Sequence, residues 1–325
     1  MSEVAVVPVP AVARATWWQR VGPLLGLALL CLVLAIASPH FLTVDNLLNV
    51  LRQSAINAVL ALGQLVVIIT AGIDLSIGSI MGLTIVLLAL MMRGGTPSPV
   101  ACVLTVLAGA AVGLLNGLLL TRLKLPHPFI STLGTMNVAR GAALLLASGV
   151  PISGLPVRFR EVVAGSAFGV PSPVLVAGAL YVLGHLFLAR TVWGRDLYAI
   201  GGNREAARLC GIPVDRRLNL AYALSGGAAG LAAVVLAARM NSGFPLAGSG
   251  AELDAIAAVI VGGASFFGGV GTAGGTLIGA LIIGFLRNGL NLLDVSAYWQ
   301  MIVIGAVIVA AVCIDVLRQR VGRES

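Results

Sequence analysis

Residues 98–120 read SPVACVLTVLAGAAVGLLNGLLL. The stretch carries no charge, and as a helix at 1.5 Å per residue it is about 35 Å long, enough to cross about 30 Å of hydrocarbon. A strand of a membrane barrel would instead alternate apolar and polar side chains over about 10 residues. Here Leu, Ala and Val run on without alternation, so the stretch reads as a membrane helix. The same pattern recurs along the chain, in charge-free runs at 21–39, 53–73, 75–92, 162–189, 218–238, 255–286 and 295–314.

Composition agrees. Of 325 residues, 59% are hydrophobic and 10% charged, with a mean hydropathy of +1.04; a soluble domain carries about 25% charged residues. The fold class is all-α, a polytopic helical membrane protein of about ten spans. These are expected at 22–38, 53–72, 75–92, 98–120, 128–148, 171–189, 218–238, 254–270, 272–292 and 296–315. The organisation expected is a tail at 1–20, one membrane domain over 21–316 that includes a loop at 190–217, and a tail at 317–325. Arg14 and Arg20 before an apolar run that ends in Ala35-Ile36-Ala37 resemble a cleavable leader. The many spans that follow favour a retained first helix.

Ten spans place both termini on one side. With that side cytoplasmic, inner segments hold 13 of the 20 basic residues and outer segments 5, while Arg140 and Arg287 fall within spans. Cytoplasmic loops carry the excess of Lys and Arg, so both termini and residues 190–217 are assigned to the cytoplasm. The net charge of +8 is thereby read as topology, with no nucleic-acid partner. Cys31, Cys102, Cys210 and Cys313 are too far apart for a metal spacing or a disulfide framework and read as packing residues.

Two stretches depart from plain spans. In VVIITAGIDLSIGSIMGL (66–83), Gly72 and Asp74 interrupt an overlong apolar run; between Gly262 and Gly284 lie nine glycines. Glycine inside a helix costs about 1 kcal/mol relative to alanine. Its repeated use at membrane depth points to close helix packing or to broken helices beside a cavity. Each stretch is an apolar run, a break and a second apolar run, as in transporters with internal repeats.

A third departure is GGNREAARLCGIPVDRR (201–217), a polar segment amid apolar ones. Asn203 is a helix cap, Glu205 stands in the first turn, Ala206, Ala207 and Arg208 favour helix, and Gly211 with Pro213 ends it. About two turns of helix do not stand alone in water. Residue type leaves two readings open, a helix lying on the membrane or one held by a partner.

Glu205-Ala206-Ala207 with Gly211 resembles the Glu-Ala-Ala-x-x-x-Gly loop of ABC importer permeases, without that loop's later Ile-x-Leu-Pro element. The likeness extends to "AGIDLSIGS" (71–79), "HPFISTLGTMNVARGAALL" (127–145), "AIGGNREAARLCGI" (199–212) and "ELDAIAAVIVGGASFFGGVGTAGGTLIGALIIG" (252–284). In this order they resemble the ribose/xylose/arabinose-type sugar permeases. The resemblance implies a membrane subunit, not an enzyme, of an ATP-driven importer in a bacterial inner membrane. Its implied partners are a cytoplasmic ATP-binding subunit, an extracytoplasmic sugar-binding protein, a second copy of the chain and a monosaccharide. Asn203, Arg204, Glu205, Ala206, Ala207, Arg208 and Gly211 would then form the helix that couples to the ATPase.

No cofactor is expected in this chain, with ATP and Mg on the partner. A Walker A loop requires Gly-Lys before Ser or Thr, and the single lysine, Lys124, lies between Leu123 and Leu125. Polar candidates for the sugar path are Asp74, Ser76, Ser79, Asn116, Thr132, Asn137, Arg140 and Asn288. Ionisable groups inside spans are functional candidates, yet Asp74 equally reads as a cap for the helix that follows. Arg140 equally reads as the partner of a carboxylate or of helix-end carbonyls. A permease for branched-chain amino acids or nucleosides is the near alternative. An ion-coupled transporter leaves the polar helix unexplained, and three scattered histidines offer no catalytic cluster.

Overall fold

The computed structural model describes the backbone of residues 17–324 and the side chains of residues 21–317. In chain order its helices are α1 (Trp17–Ala37), α2 (Val44–Ile69), α3 (Ile77–Arg93), α4 (Ser98–Arg122), α5 (Pro128–Leu146), α6 (Val157–Ala164), α7 (Ser172–Arg190), α8 (Val192–Gly202), α9 (Arg204–Leu209), α10 (Val214–Met240), α11 (Ala251–Val261), α12 (Ala273–Leu292) and α13 (Ala297–Glu324). Four two-residue strands complete it: β1 (Ile152–Ser153), β2 (Ser166–Ala167), β3 (Val170–Pro171) and β4 (Ser242–Gly243). β1 pairs antiparallel with β4, and β2 with β3.

Local signals set the helix ends. Proline occupies the first turn of α4, α5 and α7, where its missing N–H costs nothing. Left-handed residues close α5 at Ser148 and Gly149, and α10 at Asn241.

Among the described residues, seven helices are long and apolar enough to cross a membrane, and residues 21–37 of α1 and α3 are shorter apolar helices. α2 and α10 form the centre: the apolar window of α2 is 83% buried, against 11% for α13. The outward faces of α5, α7 and α13 are the surface offered to lipid or to another chain. Helices gain nothing hydrophobic by leaving lipid for each other, so close van der Waals approach holds them. α4 and α10 achieve it through Gly109 and Gly113 opposite Gly226 and Gly230, where an added methyl would strike the facing backbone. Gly262 and Gly275 do the same between α11 and α12.

Three expectations change. α2 starts at Val44 rather than at 53, which places Arg52 inside the helix. The expected span 254–270 is instead α11 followed by irregular chain at 262–272. Eleven helical residues reach only about 16 Å, half the hydrocarbon thickness, because Gly262, Gly263, Gly268 and Gly269 withdraw the stretch after Val261 from helix. Irregular chain carries the segment on to Gly269, which meets Ile69 at the end of α2, so the number of crossings, and with it the side of the termini, is kept. Within the expected tail at 317–325, the backbone is helical as far as Glu324, the end of α13. Residues 1–16 of the expected tail at 1–20, and the side chains of Arg14, Arg20, Arg318, Arg320 and Arg323, lie outside the described residues. Cys210 and Cys313 are exposed, so packing accounts only for Cys31 and Cys102.

Candidate functional site

The break between α2 and α3 is built by a left-handed turn. Ala71 takes φ 59°, its N–H bonds to Ile68 O at 2.9 Å, and Gly72 N–H bonds to Val67 O at 3.2 Å. This paired closure of the last helical turn is the Schellman arrangement. The chain then turns inward at Asp74, which is fully buried. Asp74 Oδ1 accepts from Ser76 N at 2.9 Å and Ser76 Oγ at 2.6 Å, and Oδ2 accepts from Ser225 Oγ of α10 at 2.7 Å. Ser76 Oγ accepts from Asn116 Nδ2 of α4 at 2.8 Å. In the amide orientation its surroundings require, Gln64 of α2 donates to Asp74 O and accepts from Asp74 N, both at 3.1 Å.

Asp74 therefore caps the break and also ties α3 to α10. Ser76 and Asn116 join it in one network. Thr132 Oγ1 of α5 reaches Ile73 O at 3.4 Å, the long end of hydrogen bonding. The phenol of buried Tyr222 stands where a side chain on Gly72 would go.

The remaining path candidates lie apart. Ser79 is buried on α3. Asn137 is exposed on the outer face of α5 and bonds only within its own helix, to Leu133 O at 3.0 Å. Asn288 of α12 exchanges two bonds with Asn46 of α2, at 3.1 and 2.8 Å. Arg140 donates to Pro245 O at 2.9 Å and Ala247 O at 2.8 Å, and so clamps the 242–250 loop against α3, where Gly82 makes room. Its partners are loop carbonyls. Of the two arginines expected within spans, Arg140 and Arg287, the one that pairs with a carboxylate is Arg287, whose Nη2 meets Asp254 at 2.8 and 2.7 Å.

The second break, at 262–272, meets the first. Gly269 N donates to Ile69 O at 2.8 Å, and Gly268 leaves no room for a side chain beside Ala71. Tyr198 Oη of α8 donates to Gly271 O at 2.7 Å, and burial pushes its phenol pKa up. The two breaks and α8 thus share one junction.

Past α8 comes α9. Asn203 Oδ1 accepts from Glu205 N at 3.0 Å and Ala206 N at 2.9 Å. Gly211 takes φ 81°, with Gly211 N to Arg208 O at 2.9 Å and Ile212 N to Ala207 O at 3.1 Å. Both ends of a six-residue helix are closed by its immediate neighbours. Ala207 alone of α9 is buried, against Val67, Leu120, Val214, Leu218 and Tyr222. Arg204, Glu205, Ala206, Arg208, Leu209 and Gly211 are exposed, and Leu209 is 84% exposed. Arg217 Nε donates to Asp196 at 2.6 Å and stacks over Trp193 at 4.3 Å, which fastens α8 to the start of α10.

Sequence reasoning missed Gln64, Ser225 and Tyr222. Ser225 carried a faint signal, a hydroxyl just before Gly226 in an apolar span; Gln64 is an amide inside another. Neither points to Asp74 until the helices are packed.

A family model described as "branched-chain amino acid transport system / permease component" matches residues 46–312. The ribose import permease protein of Bacillus subtilis (strain 168) is 46% identical over 91% of this chain and 92% of its own length. That of Escherichia coli (strain K12) is 41% identical over 93% and 95%. The D-allose transport system permease protein of the same strain is 39% identical over 93% of each. No solved structure matches the chain.

Proposed function

The chain belongs to the family of branched-chain amino acid transport system permease components, and from that premise we propose that it is the membrane subunit of an ATP-driven monosaccharide importer. The sugar is ribose or a close relative. The observation that carries this is the likeness along nearly the whole chain to permeases named for ribose and D-allose; it also sets aside amino acids and nucleosides.

ATP and its Mg belong to a cytoplasmic ATP-binding subunit, and the sugar arrives on an extracytoplasmic binding protein. The chain lies in a bacterial inner membrane with both termini and residues 190–217 in the cytoplasm. Asn203, Arg204, Glu205, Ala206, Ala207, Arg208 and Gly211 form the coupling helix. Its exposure and its two closed ends support this role: it is a small rigid knob resting on Ala207. The translocating unit is two copies of the chain. Asp74, Ser76, Ser79, Asn116 and Thr132 shape the inner wall, Arg140 fixes the 242–250 loop, and Asn288 fixes α12 to α2. The sealed Asp74 network, beside an Asn137 exposed on the outer face of α5, supports a path at the boundary between copies.

The direct test is uptake into proteoliposomes holding this chain, its ATPase and its binding protein. Radiolabelled ribose should enter only with ATP and continue with an uncoupler present. Uptake of leucine in place of ribose, or uptake that an uncoupler abolishes, would refute the reading. Orientation has its own test in a chain freed of its four cysteines. Arg158→Cys should react with an impermeant thiol reagent in intact cells, and Arg204→Cys should not. The reverse pattern contradicts both the topology and the coupling role.

A further inference from the structure

Beside α9, a cavity of about 530 Å3 opens at the end of α4. Its walls carry three cations, Lys124, Arg204 and Arg208, against one carboxylate, Asp215. Arg208 stands 3.5 Å from Asp215 and 3.5 Å from Glu205, too far for either to neutralise it tightly. Lys124 turns out of α4 on a left-handed residue, φ 49°. The floor of the cavity is apolar, Leu120 and Leu125.

Leu125 has a second neighbour. On its other side a groove of about 370 Å3 runs between α4 and α5. Leu115 and Leu119 form one wall, and Ile130 and Val138 the other. Nothing lies within 4 Å of where a side chain on Gly134 would stand, which keeps the groove open. From Ile130 to Ala142 the groove follows α5 for about 18 Å, away from the basic cavity and toward the middle of the membrane.

A basic pocket at the membrane boundary, sharing Leu125 with an apolar slot that points into the hydrocarbon, has the outline of a phospholipid. We propose that the chain binds one anionic phospholipid here, with its phosphate over Lys124, Arg204 and Arg208 and one acyl chain along α5. Charge complementarity selects the anion, and the shared Leu125 selects a molecule with a tail. A carboxylate from a partner protein would leave the groove unexplained. The inference rests on the reading that α4 and α5 cross the membrane, and it does not depend on which substrate is carried.

The test is native mass spectrometry of the delipidated full chain in detergent, titrated with dioleoyl phosphatidylglycerol or dioleoyl phosphatidylcholine. Phosphatidylglycerol should be retained at least about ten-fold more strongly. Lys124→Gln should cut that preference about five-fold, the worth of one basic residue at a membrane surface. Gly134→Leu, which fills the groove and leaves the charges alone, should weaken retention of both lipids. Equal retention of the two lipids would overturn the proposal, as would a preference that survives Lys124→Gln with Arg204→Gln. Displacement of phosphatidylglycerol by millimolar inorganic phosphate, with Gly134→Leu without effect, would make it a free-phosphate site. Loss of ATPase co-purification in Lys124→Gln with lipid retention unchanged would assign the pocket to the ATPase. A Gly134→Leu chain that becomes monomeric but keeps its lipid would assign the groove to the second copy. Each of these three results overturns the proposal. Transport can fail with lipid retention intact, so this outcome and the transport reading are separable.

Discussion

The Asp74 break and α9 are both short interruptions of an apolar chain, and they are stabilised in opposite ways. Asp74 is sealed among groups from α2, α4, α5 and α10: its bonds reach Ser225, 151 residues away, and the Ser76 it holds bonds Asn116, 40 residues away. α9 depends on neighbours. Its N–H groups bond to Asn203 two and three residues back, and its carbonyls to Gly211 and Ile212. One region is fixed by packing and cannot move without disturbing α10 and α4. The other is prefolded, exposed and anchored through one alanine. That division suits a subunit pushed from outside: a rigid handle, and a wall that shifts only when whole helices shift. Tyr222 joins the two, since it shares one buried apolar cluster with Ala207 and its hydroxyl stands against Gly72.

The largest effect should come from breaking the packed region. Asp74→Leu leaves the buried Ser76 N–H and the Ser225 hydroxyl without their acceptor, at about 1–3 kcal/mol for each lost partner. Thermal unfolding in detergent should shift down strongly and uptake should vanish. Asp74→Asn keeps an acceptor for Ser76, and the Ser225 hydroxyl can turn to accept from the new amide. It should retain most stability and uptake; equal damage from both variants would mean that the network is not what holds the break.

A smaller and differently distributed effect belongs to α9. The Glu205 carboxylate is 73% exposed and 3.5 Å from Arg208, so Glu205→Ala should leave thermal stability within about 0.5 kcal/mol of wild type. Co-purification of the ATPase should nonetheless fall several-fold. A stability loss without a loss of association would reverse the comparison, making α9 structural. The smallest effect is expected at Ala71. A non-glycine residue in the left-handed region costs about 1 kcal/mol, so Ala71→Gly should raise the unfolding midpoint slightly, with uptake unchanged. A lowered midpoint would show that the Ala71 methyl packs usefully beside Gly268.

The same contrast explains what could be read in the sequence. α9 was legible because Asn203, Glu205 and Gly211 declare its start and end within nine residues, and every bond they make is local. The break was legible only as a break. Gly72 and Asp74 mark it, but Ser225, Gln64 and Tyr222 join it through packing that no local pattern encodes. Arg140 shows the same limit: its place in an apolar run was plain, its partners Pro245 and Ala247 were not. The stretch 254–270 misled because hydropathy counts apolar residues and overlooks the glycines that end α11 at Val261. The long spans were read well because length and absence of charge suffice to specify them.

The central claim is that α9 transmits force as a rigid element, and Gly211 tests it most directly. At φ 81° a β-branched residue is strongly disfavoured, whereas asparagine tolerates the left-handed region. No atom crowds the site, so the two substitutions differ in backbone preference and not in fit. The measurement is ATP hydrolysis stimulated by sugar-loaded binding protein in the reconstituted complex. Gly211→Asn should keep stimulation within about two-fold of wild type, and Gly211→Val should lose at least about ten-fold while still inserting and associating into the membrane domain. Full stimulation with Gly211→Val would contradict the account and leave α9 an ordinary surface helix.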